Sequence, residues 1–314
     1  MKPFHLFLFS LVLSTMSLSA LEKAAWTTDY NAAVKVAREQ NKSILLLFTG
    51  DWISMCRVFD ETIMNQDAFL QEASEQFVLV RLNFPESNRL PEEIATQYQL
   101  LRDAYRVQGF PAVVLTEADG KPYGLNGFQP VTPELYAEQI IAMHGNGMEM
   151  KAKREAAESL EGIEKAKLLT EGIPELPGNM AARYYGEEMR KVIEADPDDV
   201  LGRKGEFAGL IDDVKYSKAM QLLSKEGKWD RMIELTDAYI EEKQLSGGML
   251  QKALLNKSRV QERMDLLRGR VESLLQVVEV DGDSGYAQEA QRQLDELRVE
   301  KLRIEAEAAK SQEP

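Results

Sequence analysis

Two periodicities divide this chain. Between residues 22 and 143, short apolar runs alternate with stretches in which apolar residues recur every three or four positions. Ser43–Thr49 (SILLLFT) is an apolar run of the kind found in strands covered on both faces, and Phe77–Asn83 (FVLVRLN) reads as a second strand. Asp29 to Asn41 carries Ala33, Val36, Ala37 and Gln40 at helical spacing. Ile53 to about Asp60 and Asp67 to Gln76 also read as helices, the latter with Asn65 as its expected cap. Pro91 opens a further helix in its first turn, where a missing N–H costs nothing, and Ile94, Tyr98, Leu101 and Tyr105 form its buried stripe. Ala112–Thr116 and Tyr123–Phe128 flank Asp119-Gly120, a hairpin signal, and Thr132 to Met143 closes the region as a helix. The order α-β-α-β-α-β-β-α predicts an α/β domain with a small central mixed sheet covered by helices. Strands separated by helices favour parallel pairing, and the last hairpin adds an antiparallel edge.

Beyond residue 150 the strand pattern stops. Helices are expected over 151–170, 180–195, 200–224, 229–243, 248–264, 268–280 and 284–302, and residues 303–314 are read as a charged, frayed tail. The two glycines of HGNGME (144–149) mark the expected boundary between a domain over 22–145 and an all-α domain over 150–302. VIEADPDD (192–199) and VVEVDGDS (277–284) each end a helix in an acidic turn, and 228–264 has the length of a tetratricopeptide helix pair. A degenerate repeat array and a plain helical bundle both fit. Arrays of this kind present concave surfaces to other proteins.

Composition adds an address and removes several chemistries. Residues 1–20 combine Lys2, an apolar run from Phe4 to Leu13 and a small-residue stretch ending at Ala20, the layout of a cleavable signal peptide. Export to the periplasm or the extracellular space is therefore expected, with no membrane span after cleavage. The full chain has a net charge of −14, and removing 1–20 takes away only Lys2 among the formal charges. Such a surface repels phosphate backbones, so no nucleic-acid partner is expected. His5 leaves with the signal, so His144 is the single imidazole of the mature chain. It reads as a solvent-facing residue at the end of a helix, and neither a metal site nor another cofactor is expected. Cys56 is the sole cysteine, which excludes an intramolecular disulfide.

The stretch FTGDWISMC (48–56) carries the candidate chemistry. Phe48-Thr49-Gly50-Asp51-Trp52, followed after three residues by Cys56, resembles the thioredoxin superfamily, in particular exported bacterial domains with an FTG-DWCxxC signature. Gly109-Phe110-Pro111 before a strand resembles the second hallmark of that family, and Trp26 and the Asp119-Gly120-Lys121 turn agree. The resemblance covers residues 22–145. It implies a cis bond before Pro111, beside the active-site corner, and a peptide groove formed by Trp52, Met55, Phe110 and Pro111. It also implies that Ile53 stands where the nucleophilic cysteine would be and Cys56 where the resolving cysteine would be.

Dithiol exchange needs the first of those thiols. A cysteine at a helix N-terminus is held as thiolate by the helix dipole, attacks a substrate disulfide and is released by the second thiol one turn later. Ile53 cannot ionise. Leu47 stands where many members of the superfamily carry a buried aspartate that moves the resolving thiol's proton. Two readings follow. Cys56 is an inert buried thiol in a redox-inactive protein-binding or scaffolding module of the cell envelope. Alternatively, Cys56 is the catalytic residue of a single-cysteine thiol–disulfide oxidoreductase or chaperone. Both have a protein or peptide as partner.

Overall fold

The computed structural model describes residues 26–87, 90–177 and 179–310. The expected signal segment, residues 1–20, lies outside the described residues, as do 311–314 at the far end. The chain splits into two compact units. The first runs to Leu160 and takes back Leu168–Tyr184; the second comprises Glu161–Lys167 and everything from Tyr185.

In the first unit the apolar runs become the middle of a sheet. Strand β1 (Ser43–Thr49) is buried at all seven positions, and β2 (Phe77–Asn83) pairs with it in parallel, Ser43 opposite Phe77 and Thr49 opposite Asn83. Strands β3 (Ala112–Thr116) and β4 (Pro122–Gly127) complete the order β2-β1-β3-β4. Thr27 bridges to Val80 in parallel at the outer edge. One correction concerns direction: β3 follows a helix but pairs antiparallel with β1, Phe48 opposite Ala112. The intervening helix therefore brings the chain back into the sheet at the end where β2 left it, and only β1 and β2 obey the parallel expectation.

Alternate residues of β1 feed two cores, as the two-residue strand period requires. Leu45 and Leu47 pack with Phe59, Ile63, Phe69 and Tyr136 on one face. Ile44, Leu46 and Phe48 pack with Ala33, Ala37, Tyr98 and Tyr105 on the other. Helix α1 (Tyr30–Gln40) is capped by Asp29, whose carboxylate accepts from the Ala32 N–H. Helix α2 (Ser54–Phe59) runs into a π-helical turn, Asp60–Met64, before α3 (Asp67–Gln76). Asn65 does not cap α3, because Gln66 holds that position and Asn65 instead accepts from Arg81 at 2.9 Å. Helix α4 is Glu92–Ala104, with Pro91 just outside it.

A second correction concerns the boundary glycines. Helix α5 (Pro133–Ala157) starts at the Thr132 cap as expected but runs straight through HGNGME. A helical glycine costs about 1 kcal/mol and does not oblige a break. Gly147 is there for packing: a Cβ at this position would lie 2.3 Å from the Tyr123 ring. His144 consequently sits inside the helix, half-buried, with its Nδ1 3.0 Å from the Tyr123 hydroxyl and the Phe77 ring against it. Burial lowers its pKa. It is not the solvent-facing helix end expected from sequence. Gly145, two residues away, has open space around it. Gly147→Ala should therefore destabilise by about 1–3 kcal/mol through overpacking, while Gly145→Ala should stabilise by about 0.5–1 kcal/mol. Urea unfolding of the two variants checks the pair.

The second unit is helical throughout its described residues from 204 onward, apart from short turns. Helices α8 (Lys204–Lys225), α9 (Trp229–Lys243), α10 (Gly247–Arg263), α11 (Leu267–Val280) and α12 (Gly285–Lys310) follow the breaks read from sequence. Helix α12 continues to Lys310, past the end at residue 302 expected from sequence. Similarly, the helix expected over 151–170 is divided: α5 ends at Ala157 and α6 spans Gly162–Glu171. Helix α7 is Met180–Ala195, with a non-helical residue at Tyr185 where the two units meet in sequence. The acidic turn after α7 is closed by its own aspartate: the buried Asp196 carboxylate accepts from the backbone N–H groups of Val200 and Leu201, both at 2.8 Å. Leu254, Leu255, Leu274, Val277 and Ala290 form the core that joins α10, α11 and α12.

Candidate functional site

The corner beyond β1 is built by the strand ends. After Thr49 the chain turns through Gly50 and Asp51, and Phe84 N–H donates back to the Thr49 carbonyl at 2.8 Å. The Asp51 N–H donates to the Asn83 side chain at 3.1 Å, and Trp52 Nε1 donates to the Phe84 carbonyl at 3.1 Å. Arg57 reaches back over the turn, donating to the Asp51 carbonyl at 3.0 Å and the Ser54 hydroxyl at 3.2 Å. Gly50 is needed because a Cβ there would press on Trp52 Nε1 at 3.1 Å and the Phe84 carbonyl at 3.3 Å.

Ile53 is the N-cap of α2, in extended backbone, and makes no side-chain cap hydrogen bond. This is the position at which free N–H groups and the helix dipole favour an anion, and the side chain supplied is a hydrocarbon. Cys56 lies in the helix that follows, only 1% exposed, and is a free thiol. Leu47 is fully buried within the core that contains Phe59. No acceptor for a thiol proton therefore comes from that strand position.

The Phe110–Pro111 peptide bond is cis. Because Phe48 faces Ala112 in the antiparallel register, Pro111 falls level with Thr49, at the sheet end from which the FTGDW turn leaves. Phe110 stacks on Phe84 with ring centroids 4.8 Å apart, and the Arg102 guanidinium lies 5.6 Å above the Phe110 ring. Trp52 and Phe110 thus meet a shared intermediary, Phe84, which the sequence reading did not single out. Its signal was available: it directly follows β2, the parallel neighbour of β1. Val58 was also missed. Together with Trp52 and Met55 it gives three large apolar side chains, 44–53% exposed, near the start of α2. Among the described residues no group of three or more His, Cys, Asp or Glu could hold a metal. The corner offers an apolar rim, a ring stack and a covered sulfur.

Comparison with known proteins agrees with this architecture. A family profile described as thioredoxin-like matches residues 25–118. The disulfide bond reductase DsbH of Chlamydia pneumoniae is 32% identical over 112 residues, covering 35% of this chain and 68% of that protein. The thioredoxin-related protein DsbJ of the same organism is 24% identical over 113 residues, 33% of this chain and 32% of DsbJ. A solved DsbH oxidoreductase structure aligns at 29% identity with a TM-score of 0.37, over 41% of this chain and 91% of that one. With the motif corner, the mixed sheet and a relative of which it spans two thirds, this chain belongs to the thioredoxin-like family, with DsbH among its relatives.

Proposed function

We propose that this protein is a redox-inactive, protein-binding module of the cell envelope, exported by its N-terminal segment and composed of a thioredoxin-like domain and a helical domain. The observation that carries the reading is the exchange of roles at α2. The residue at the helix N-cap is Ile53, and the single cysteine, Cys56, is 1% exposed behind it. A thiol acts as nucleophile only as an accessible thiolate. What faces solvent instead is the apolar rim of Trp52, Met55 and Val58, suited to an extended peptide segment of a partner. Among the described residues no helix is long and apolar enough to cross a membrane.

The competing reading, a single-cysteine thiol–disulfide enzyme using Cys56, is favoured by one observation, the reductase name of the relative DsbH. Thiol labelling separates the two. Native Cys56 should react with a maleimide far more slowly than after unfolding in urea, and the protein should not accelerate insulin reduction above background. Rapid native labelling together with turnover that disappears in Cys56→Ser would establish the enzyme instead.

A further inference from the structure

Residues 247–270 hold six cationic side chains and two acidic ones, inside a chain whose net charge is −14. Three of the cations are held in close ion pairs, two of them between helices and one along α11. Lys257 pairs with Asp237 at 2.5 Å, Arg270 with Glu262 at 2.8 Å and Arg268 with Glu272 at 2.9 Å. The other three, Lys252, Arg259 and Arg263, are spaced seven and four residues apart with Asn256 between the first two, so all four share one face of α10. The three cations are exposed and Asn256 is half-buried.

The two arginines are positioned without being neutralised, and Lys252 has only a long ion pair. Arg263 lies over the Trp229 ring at 5.3 Å, and Arg259 donates to the Asn256 side-chain oxygen at 3.3 Å. Among the described residues neither arginine forms a salt bridge. Lys252 forms its long ion pair with Asp213 Oδ2 at 3.8 Å, while Asp213 Oδ1 accepts from the Tyr239 hydroxyl at 2.7 Å. Glu289 of α12, whose charge interacts with Arg259, is held by Arg292 at 2.8 Å.

The geometry points to a binding site on this face for a short acidic segment of a partner protein. From Lys252 to Arg263 the helix rises about 16 Å, the length of about five residues of extended peptide. The arginine forks match carboxylates in pairs. A short run of carboxylates falls within the stripe's local field, whereas a long polyanion also meets the chain's net negative charge beyond a Debye length of about 8 Å. This site is separate from the thioredoxin-like corner, so either can fail without the other.

The test is fluorescence anisotropy on the full chain with a fluorescein-labelled Glu-Asp-Glu-Asp-Glu peptide and its Gln-Asn-Gln-Asn-Gln isostere, near physiological salt. The acidic peptide should bind and the isostere should not. Arg259→Gln combined with Arg263→Gln should weaken binding at least about tenfold, the scale expected when charges facing a partner are removed. Arg268→Gln, which deletes the same charge off the stripe, should leave binding unchanged. Arg259→Gln alone, which removes a hydrogen bond to Asn256 and leaves Trp229 untouched, should weaken it in the same direction and keeps the test sound if the Arg263 change loosens Trp229. Equal binding of the isostere, no binding at millimolar protein, or an equal loss in Arg268→Gln would overturn the proposal. Stripe-dependent preference for phosphatidylglycerol vesicles or single-stranded DNA over the peptide would also overturn it.

Discussion

Arg154→Met should destabilise the thioredoxin-like unit by about 3 kcal/mol, because it strands a buried carboxylate. Arg154 projects from the late turns of α5, donating one guanidinium nitrogen to Glu117 just beyond β3 and another to the Gly172 carbonyl. The two charged side chains are only 8% and 9% exposed. Gly172 is part of the fit, since a Cβ there would lie 2.6 Å from Arg154 Cγ. One residue therefore ties together the hairpin, the extended helix and the chain after α6.

The pH dependence of the same variant has a definite sign. Burial raises the Glu117 pKa, and the neighbouring Arg154 is the strongest influence holding it down. Without Arg154 the folded-state pKa rises further above the unfolded value of about 4.3. In the window between those values the folded variant binds more protons than the unfolded one, so its stability increases as pH falls. Urea unfolding should show the deficit of Arg154→Met against the parent shrinking between about pH 7 and pH 5. Adding Glu117→Gln should recover part of the loss, as removing both charges of a buried pair costs less than removing one. A deficit that is constant or grows on acidification would contradict the assignment.

Ile53→Cys should convert the corner into a functional dithiol, a change from no exchange to turnover. The introduced thiol would occupy the N-cap of α2, where the dipole favours thiolate. Cys56 lies three residues on, and one helical turn brings the two Cα atoms within the range of about 4.4–6.8 Å that a disulfide spans. Mild oxidation should then remove two free thiols per chain. In the reduced variant the introduced thiolate attacks a substrate disulfide and expels one substrate thiolate; Cys56 then attacks the introduced sulfur of the mixed disulfide and expels the second, leaving the substrate reduced and the protein as a disulfide that added dithiothreitol re-reduces for each turnover. Insulin reduction should appear and should vanish on adding Cys56→Ser. A variant that retains two titratable thiols after oxidation would show that Ile53 and Cys56 are not placed as the corner requires.

Much of this architecture was legible in the chain alone because it depends on local patterns. An uninterrupted apolar run specifies a strand buried on both faces, as in β1, and the mostly apolar β2 was likewise readable to the residue. Thr132 and Asp29 announce helix starts by a hydrogen bond that closes within three residues. Ile53 and Leu47, read against the thioredoxin resemblance, identify the two positions where dithiol chemistry would need other residues. What required tertiary structure was every feature set by distant neighbours. The direction of β3 depends on how the chain crosses the sheet, and no periodicity encodes it. Gly145 and Gly147 are identical in sequence terms, yet only Gly147 meets the Tyr123 ring, so only packing tells a tolerated glycine from an obligatory one. Phe84 joins Trp52 to Phe110 because parallel pairing brings the end of β2 beside the end of β1. Lys252, Arg259 and Arg263 stand out from the other cations of their segment only once the structure shows that Lys257, Arg268 and Arg270 are held in close ion pairs. Sequence determines what each element can be; the partners that fall within a few ångströms decide what each side chain is free to do.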